Sequence, residues 1–174
     1  TRLKAAYACE DIMGAAGMNN SLWDLAGVDG LAVAKRLFGE DVGYLGRFQS
    51  LETTLAGQDC SVLRLCDRNF RIAYSGPLHQ LVAPLQPNTW LKQFDWLTRL
   101  SLPISQRPQI LPQVTVRPPH RLENLPNHQA IPARLQSIPL LIWQHPPQDQ
   151  TILELHVARK DLESLTIGLE QLYP

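Results

Sequence analysis

Residues 138–174 constrain the fold more than any other part of the chain. Ile138-Pro139-Leu140-Leu141-Ile142-Trp143 reads as a buried strand, and His145-Pro146-Pro147-Gln148-Asp149 as a polar turn. Thr151 to Val157 alternates apolar and polar residues, which puts Leu153, Leu155 and Val157 on one face of a second strand. From Asp161 the period changes to that of a helix. Leu162, Leu165, Leu169 and Leu172 share one side of a helix over 161–173, and Asp161 and Glu163 lie near its positive end. Two strands followed by an amphipathic helix form half of an α+β layer, and no catalytic motif lies among them.

Lys plus Arg and Asp plus Glu each number 16, so the chain carries no net charge. Nucleic-acid binding is disfavoured by that balance. No apolar run reaches the length of a bilayer span, so no membrane insertion is expected. Cys9, Cys60 and Cys66 are an odd set without a C-x-x-C pair, which fits free thiols and a cytoplasmic location. The chain opens at Thr1 without Met or an apolar leader, as a fragment or a mature chain does.

Residues 1–50 read as a helical segment. Leu3 and Tyr7 begin one helix that breaks near Gly14–Gly17, and Ser21-Leu22-Trp23-Asp24 has the form of a capping box. Asp29 caps a third helix in which Leu31, Ala34, Leu37 and Phe38 share a face, stopped by Gly39. Residues 60–104 then read as sheet. Ser61–Leu65 and Phe70–Tyr74 flank Asp67-Arg68-Asn69 as a hairpin. A short helix through Trp90 leads into a long strand with Phe94, Trp96, Thr98, Leu100 and Leu102 on one face. Ten of the fourteen prolines fall between Pro103 and Pro147. Residues 105–136 therefore read as a Pro/Arg-rich arm or long loop, with a short edge strand at Val114-Thr115-Val116. The expected architecture is a single α+β domain over 1–174: N-terminal helices, then one mainly antiparallel sheet of five to seven strands, closed by the C-terminal helix.

The arm holds the candidate binding residues. Arg107, Arg117, His120, Arg121, His128 and Arg134 lie there against a single acid, Glu123. Guanidinium groups recognise carboxylates and phosphates bidentately, and prolines stiffen the backbone that carries them. Elsewhere the chemistry is sparse. No two histidines have metal-ligand spacing, no G-x-S-x-G elbow is present, and Asp67 beside Cys66 opposes thiolate formation. Gly27-Val28-Asp29-Gly30 reads as a turn rather than a phosphate loop, since no Gly-Lys-Ser/Thr follows and no strand is expected before it. Neither a cofactor nor a metal is expected. Glu154 and His156 share the polar face of their strand, where a pair pointing into solvent is the ordinary outcome.

The run Phe94-Asp95-Trp96 opening a strand, followed by later strands and a Leu-rich helix, resembles part of the COMM domain of adaptor proteins. The connection over 105–136 is too long for that pattern, and no functional residue is carried over from it. The sequence thus points to a non-enzymatic interaction protein, an adaptor, chaperone-like factor or assembly subunit, partnered by another protein or by its own copies. The alternative is a small enzyme or ligand-binding domain. That alternative requires Arg64, Arg71 or Arg99 to converge with a histidine in a concave site.

Overall fold

The protein is described by a computed structural model, which covers residues 22–85 and 88–172. The helix expected around Leu3 and Tyr7 lies outside the described residues, as does Cys9. The first described element is a strand, β1 (Leu22–Gly27). It is followed by α1 (Gly30–Phe38), β2 (Ser50–Leu55), β3 (Gln58–Cys66), β4 (Asn69–Ala73), α2 (Leu78–Val82) and β5 (Thr89–Gln93). The second half contains β6 (Leu97–Pro103), α3 (Arg107–Ile110), β7 (Val114–Thr115), β8 (Gln129–Leu135), β9 (Ile138–His145), β10 (Ile152–Ala158) and α4 (Leu162–Glu170).

The mixed α+β class holds, while the expected N-terminal helices and single sheet do not. Leu22 and Trp23 are strand residues paired with Ala73 and Ile72 of β4, so the capping-box reading at this point is overturned. The strands form two antiparallel sheets of five, ordered β2-β3-β4-β1-β5 and β6-β10-β9-β8-β7. In each, a strand and a helix precede a three-strand meander. The first sheet seats its opening strand beside the meander and its closing strand at the edge; the second sheet does the reverse.

Alternation along the strands builds three apolar layers. Trp23, Leu25, Val62, Phe70 and Ile72 face α1 and α2 with Val33, Ala34, Phe38, Leu78 and Val82. Leu100, Ile131, Ile142, Leu153, Leu155 and Val157 face α4 through Leu165 and Leu169. The third layer joins the sheets: Leu22, Leu63 and Ala73 of the first meet Leu97, Ala130, Leu141 and Trp143 of the second. The helices therefore lie outside and the two sheets inside, face to face.

Several local expectations hold. The hairpin turn falls at 67–68, α1 ends at Gly39, and Leu153, Leu155 and Val157 share the core face of β10. Others fail for identifiable reasons. The run 90–102 is not a helix entering one strand. Trp90 pairs with Ala26 in β5, the chain crosses between sheets at 94–96, and β6 begins at Leu97. The connection over 105–136 is not an arm along its whole length, because 129–135 is β8, paired with both β9 and β7. Pro132 is tolerated within it. The Ala130 N–H points away from β9 and donates to the Phe48 carbonyl at 2.8 Å, and Pro132, two residues on, faces the same way. There β7 has already stopped, so the missing donor meets an open edge.

The Gly27–Gly30 turn follows a strand after all. Gly27 has φ of 118°, and a Cβ there would lie 2.4 Å from the Asn88 carbonyl oxygen, so only glycine fits. Asp29 makes no side-chain cap to α1; it accepts a hydrogen bond from Asn88 Nδ2 at 2.9 Å.

Burying Leu165 and Leu169 contributes about 1.5–3 kcal/mol each before ordering costs. We predict that Leu165→Asp, which strands a charge in that layer, costs at least about 3 kcal/mol. Urea unfolding checks this, and an unchanged midpoint would refute the packing of α4 on the second sheet.

Candidate functional site

The polar faces of the strands meet each other instead of water. Leu97, Arg99 and Ser101 alternate with the core residues of β6, and Glu154 and His156 with those of β10. Opposite them the first sheet presents Asp24, Glu52, Ser61 and Arg71. The expectation that Glu154 and His156 face solvent is thus overturned, since both are buried. So is the reading of His145 as part of a turn; it is the last residue of β9 and fully buried.

These side chains form a continuous chain of contacts between the sheets. Glu52 accepts from Ser61 Oγ at 2.5 Å and from His145 Nδ1 at 2.7 Å. His145 Nε2 donates to Glu154 Oε2 at 3.1 Å, and His156 Nε2 to Glu154 Oε1 at 2.6 Å. Arg71 reaches His156 Nδ1 at 3.4 Å and Asp24 at 3.0 Å. Arg99 lies 3.5 Å from Glu154 Oε1. Trp143 stacks on His145 with ring centres 3.8 Å apart, meets His156 edge-on, and donates from Nε1 to Ser50 Oγ at 2.9 Å.

The geometry assigns the protons. Arg71 can only donate, so His156 Nδ1 accepts and its proton sits on Nε2, facing Glu154. Burial, helped by the charges of Arg71 and Arg99, outweighs Glu154 and lowers the pKa of His156, so the ring stays neutral. His145 has a carboxylate at each nitrogen. Burial disfavours its charge, yet hydrogen bonds and charge from Glu154 and Glu52 outweigh burial and raise its pKa, making it an imidazolium. For Glu154 burial opposes ionisation, but Arg99 and the two histidines hold its carboxyl well below the usual range.

A cleft of about 780 Å³ opens beside this network, lined from both sheets by Ser61, Tyr74, Arg99, Ser101, His145 and Glu154 among others. Of the three arginines named for the ligand-binding alternative, Arg99 lines this cleft with His145, and Arg71 meets His156 outside its lining. Arg64 does neither: its guanidinium donates to the carbonyls of Gly43, Leu45, Cys66 and Asp67. Among the described residues no group of three His, Cys, Asp or Glu is arranged to hold a metal ion. Burial and the nearby Glu52 push the Cys60 thiol up to about 12, so it stays protonated and unreactive.

The candidate residues of 105–136 scatter. Arg107 turns inward and donates to Gln144 Oε1 at 2.7 Å. Arg117, His120 and Arg134 line one groove with Pro118, Pro132 and Pro139. Arg121 and His128 are exposed, and the His128 carbonyl accepts from Ser50 N. Alternating polarity alone does not distinguish a solvated face from one that meets another sheet, so it leaves the inter-sheet network hidden. The signal that could have found it is the opposite charge on the two polar faces.

No family model matches the sequence, and no curated protein matches it. Solved structures do share the fold. The glycine cleavage system aminomethyltransferase T from Bartonella henselae aligns with a TM-score of 0.66 at 14% identity over 87% of this chain. Only 43% of that protein is matched, so this chain spans less than half its length. A chain of the heterotetrameric sarcosine oxidase from Corynebacterium sp. U-96, solved in complex with pyrrole 2-carboxylate, aligns with a TM-score of 0.63 at 16% identity. There the match covers 97% of this chain and 92% of the other. At these identities the likeness is one of fold.

The protonation pattern gives a pH dependence. Glu154 stabilises the fold above the usual carboxylate range, an effect lost as pH falls through its depressed folded value. His156, held neutral, makes the fold weaken as pH drops through the ordinary imidazole range. His145 contributes fully below that range and loses its contribution as pH climbs through its raised value. Unfolding free energy should therefore fall as pH drops below the ordinary imidazole range and again as pH climbs through the raised value of His145; His145→Gln should remove that second step and leave the decline above the ordinary thiol range that the raised Cys60 contributes. Glu154→Ala should cost about 3–5 kcal/mol, because it leaves buried partners unpaired. Denaturant titrations across pH test both; an unaltered alkaline slope in His145→Gln would refute the imidazolium assignment.

Proposed function

We propose that this chain is a non-catalytic subunit of a larger, multi-chain enzyme assembly. The observation that carries the reading is the nearly end-to-end correspondence with one chain of a heterotetrameric oxidase. That oxidase is a four-chain enzyme, and one of its chains aligns with 97% of this chain over 92% of its own length.

The inter-sheet network supports the same reading. A general base needs a lone pair facing its substrate. Here both nitrogens of His145 donate to carboxylates, both nitrogens of His156 are engaged, and both oxygens of Glu154 accept. The cluster clamps two sheets together, and neither histidine in it has a free lone pair to offer a substrate.

Two surface features support docking to a partner. Trp90 and Trp96 are half exposed on and beside the outer strands β5 and β6, and Trp is enriched among interface anchors. The groove of Arg117, His120 and Arg134 has no acid among its lining residues, which suits an acidic segment of a partner chain. Arg121 and His128 are exposed outside that groove, whereas Arg107 serves the interior.

Purified under native conditions from its own cells, the protein should elute at a mass above that of one chain, with a partner in fixed stoichiometry. The isolated complex should show an enzyme activity that the separated subunit lacks. In the reconstituted complex, Arg117→Glu with Arg134→Glu should weaken association by at least tenfold, about 1.4 kcal/mol, with a smaller effect at high salt. A clean monomer without a partner would refute the assembly reading.

A further inference from the structure

The inter-sheet cleft holds a charged group that the clamp does not use up. Arg99 and Ser101 stand two residues apart on the same face of β6, and both line the cleft. The Arg99 side chain is 18% exposed, whereas those of Glu154 and His145 are 1% exposed each. The anionic partner thus lies behind, and the guanidinium is the part of the pair that solvent reaches. At 3.5 Å its contact with Glu154 is an ion pair at the long limit for a hydrogen bond. A guanidinium carries five N–H donors, so most of its hydrogen-bonding capacity is free for a planar acceptor.

We propose that this cleft is a binding site for a small monocarboxylate, whose carboxylate sits on Arg99 and the Ser101 hydroxyl. Chemistry selects that class over the other common anions. The cleft offers one accessible guanidinium and the Ser101 hydroxyl, while Asp59 and Glu154 put two carboxylates in its lining. Its lining residues include no Lys or Arg other than Arg99, whereas a dianionic phosphate draws on more than one cation. Glu154 immediately behind Arg99 repels a second negative charge more than it does the first. Beyond the polar end, Ala73, Tyr74, Pro147 and Ile152 give the cleft an apolar wall for the body of the ligand. Its volume of about 780 Å³ lies within the range of small-molecule sites.

Ligand occupancy here does not depend on the assembly reading, and either can fail without the other. Acetate, benzoate and phenylacetate are the probes, titrated by calorimetry and followed by amide chemical shifts. Neutral benzamide and inorganic phosphate serve as comparators. Saturable binding of benzoate or phenylacetate is expected, with shifts concentrated at β6, β10 and Tyr74. Arg99→Lys should weaken binding by about tenfold or more, since the planar fork is lost while the charge opposite Glu154 is kept. Ser101→Ala, which leaves the ion pair untouched, should weaken it about threefold to tenfold. Thermal unfolding of each variant shows that it is folded. The proposal is overturned if no probe binds saturably, if benzamide or phosphate binds as well as the carboxylates, or if both variants bind like the unaltered protein.

Discussion

Everything in this fold depends on Glu154 remaining ionised between two sheets. An isolated carboxylate in such a place would cost several kcal/mol, and the surroundings exist to offset that. A protonated His145, a neutral His156 and Arg99 all present positive charge or N–H groups to it. Both histidines are fixed in turn: Glu52 holds His145 and Arg71 holds His156 from the opposite sheet, and Trp143 packs against both rings. The two sheets are thereby locked in one relative position. Apolar packing at Leu63, Leu97 and Leu141 brings them together without setting the register, because hydrophobic contact is not directional.

The arrangement also accounts for the burial of so many polar side chains in a protein of modest size. A sheet covered by helices on one face normally leaves its other face to water, and that face is polar. Here two such sheets turn those faces toward each other. Charge complementarity makes the joint possible, and the apolar residues at its margins exclude water from it. The cost is a network in which the loss of one member leaves others unpaired. Such a joint favours a single geometry over sheer stability.

How far the sequence reveals this structure follows from the range of the interactions. Local signals read true: the turn at 67–68, the helix from Gly30 to Phe38, the strand pair of β9 and β10 and the leucine face of α4 are all set by neighbours in the chain. Signals requiring a distant partner misled. Leu22–Gly27 is a strand only because β4 and β5 flank it, since its Ala and Gly residues carry little strand preference of their own. Trp90 belongs to β5 for the same reason, and Pro132 is admitted to β8 by an edge that no local pattern announces. At the site, the alternation over 152–158 correctly separated two faces of β10. It could not tell whether the polar one met water or another sheet.

Pro132 has one more effect, on association. Between the end of β7 and the bridge from Gln49 to Gln129, the outer side of β8 is unpaired, and an unpaired stretch of strand is where a foreign strand can attach. With a ring in place of an N–H at its centre, it cannot template the next strand. Any neighbour that settles there must be recognised through its side chains. The proline therefore turns a potentially promiscuous border into a selective one.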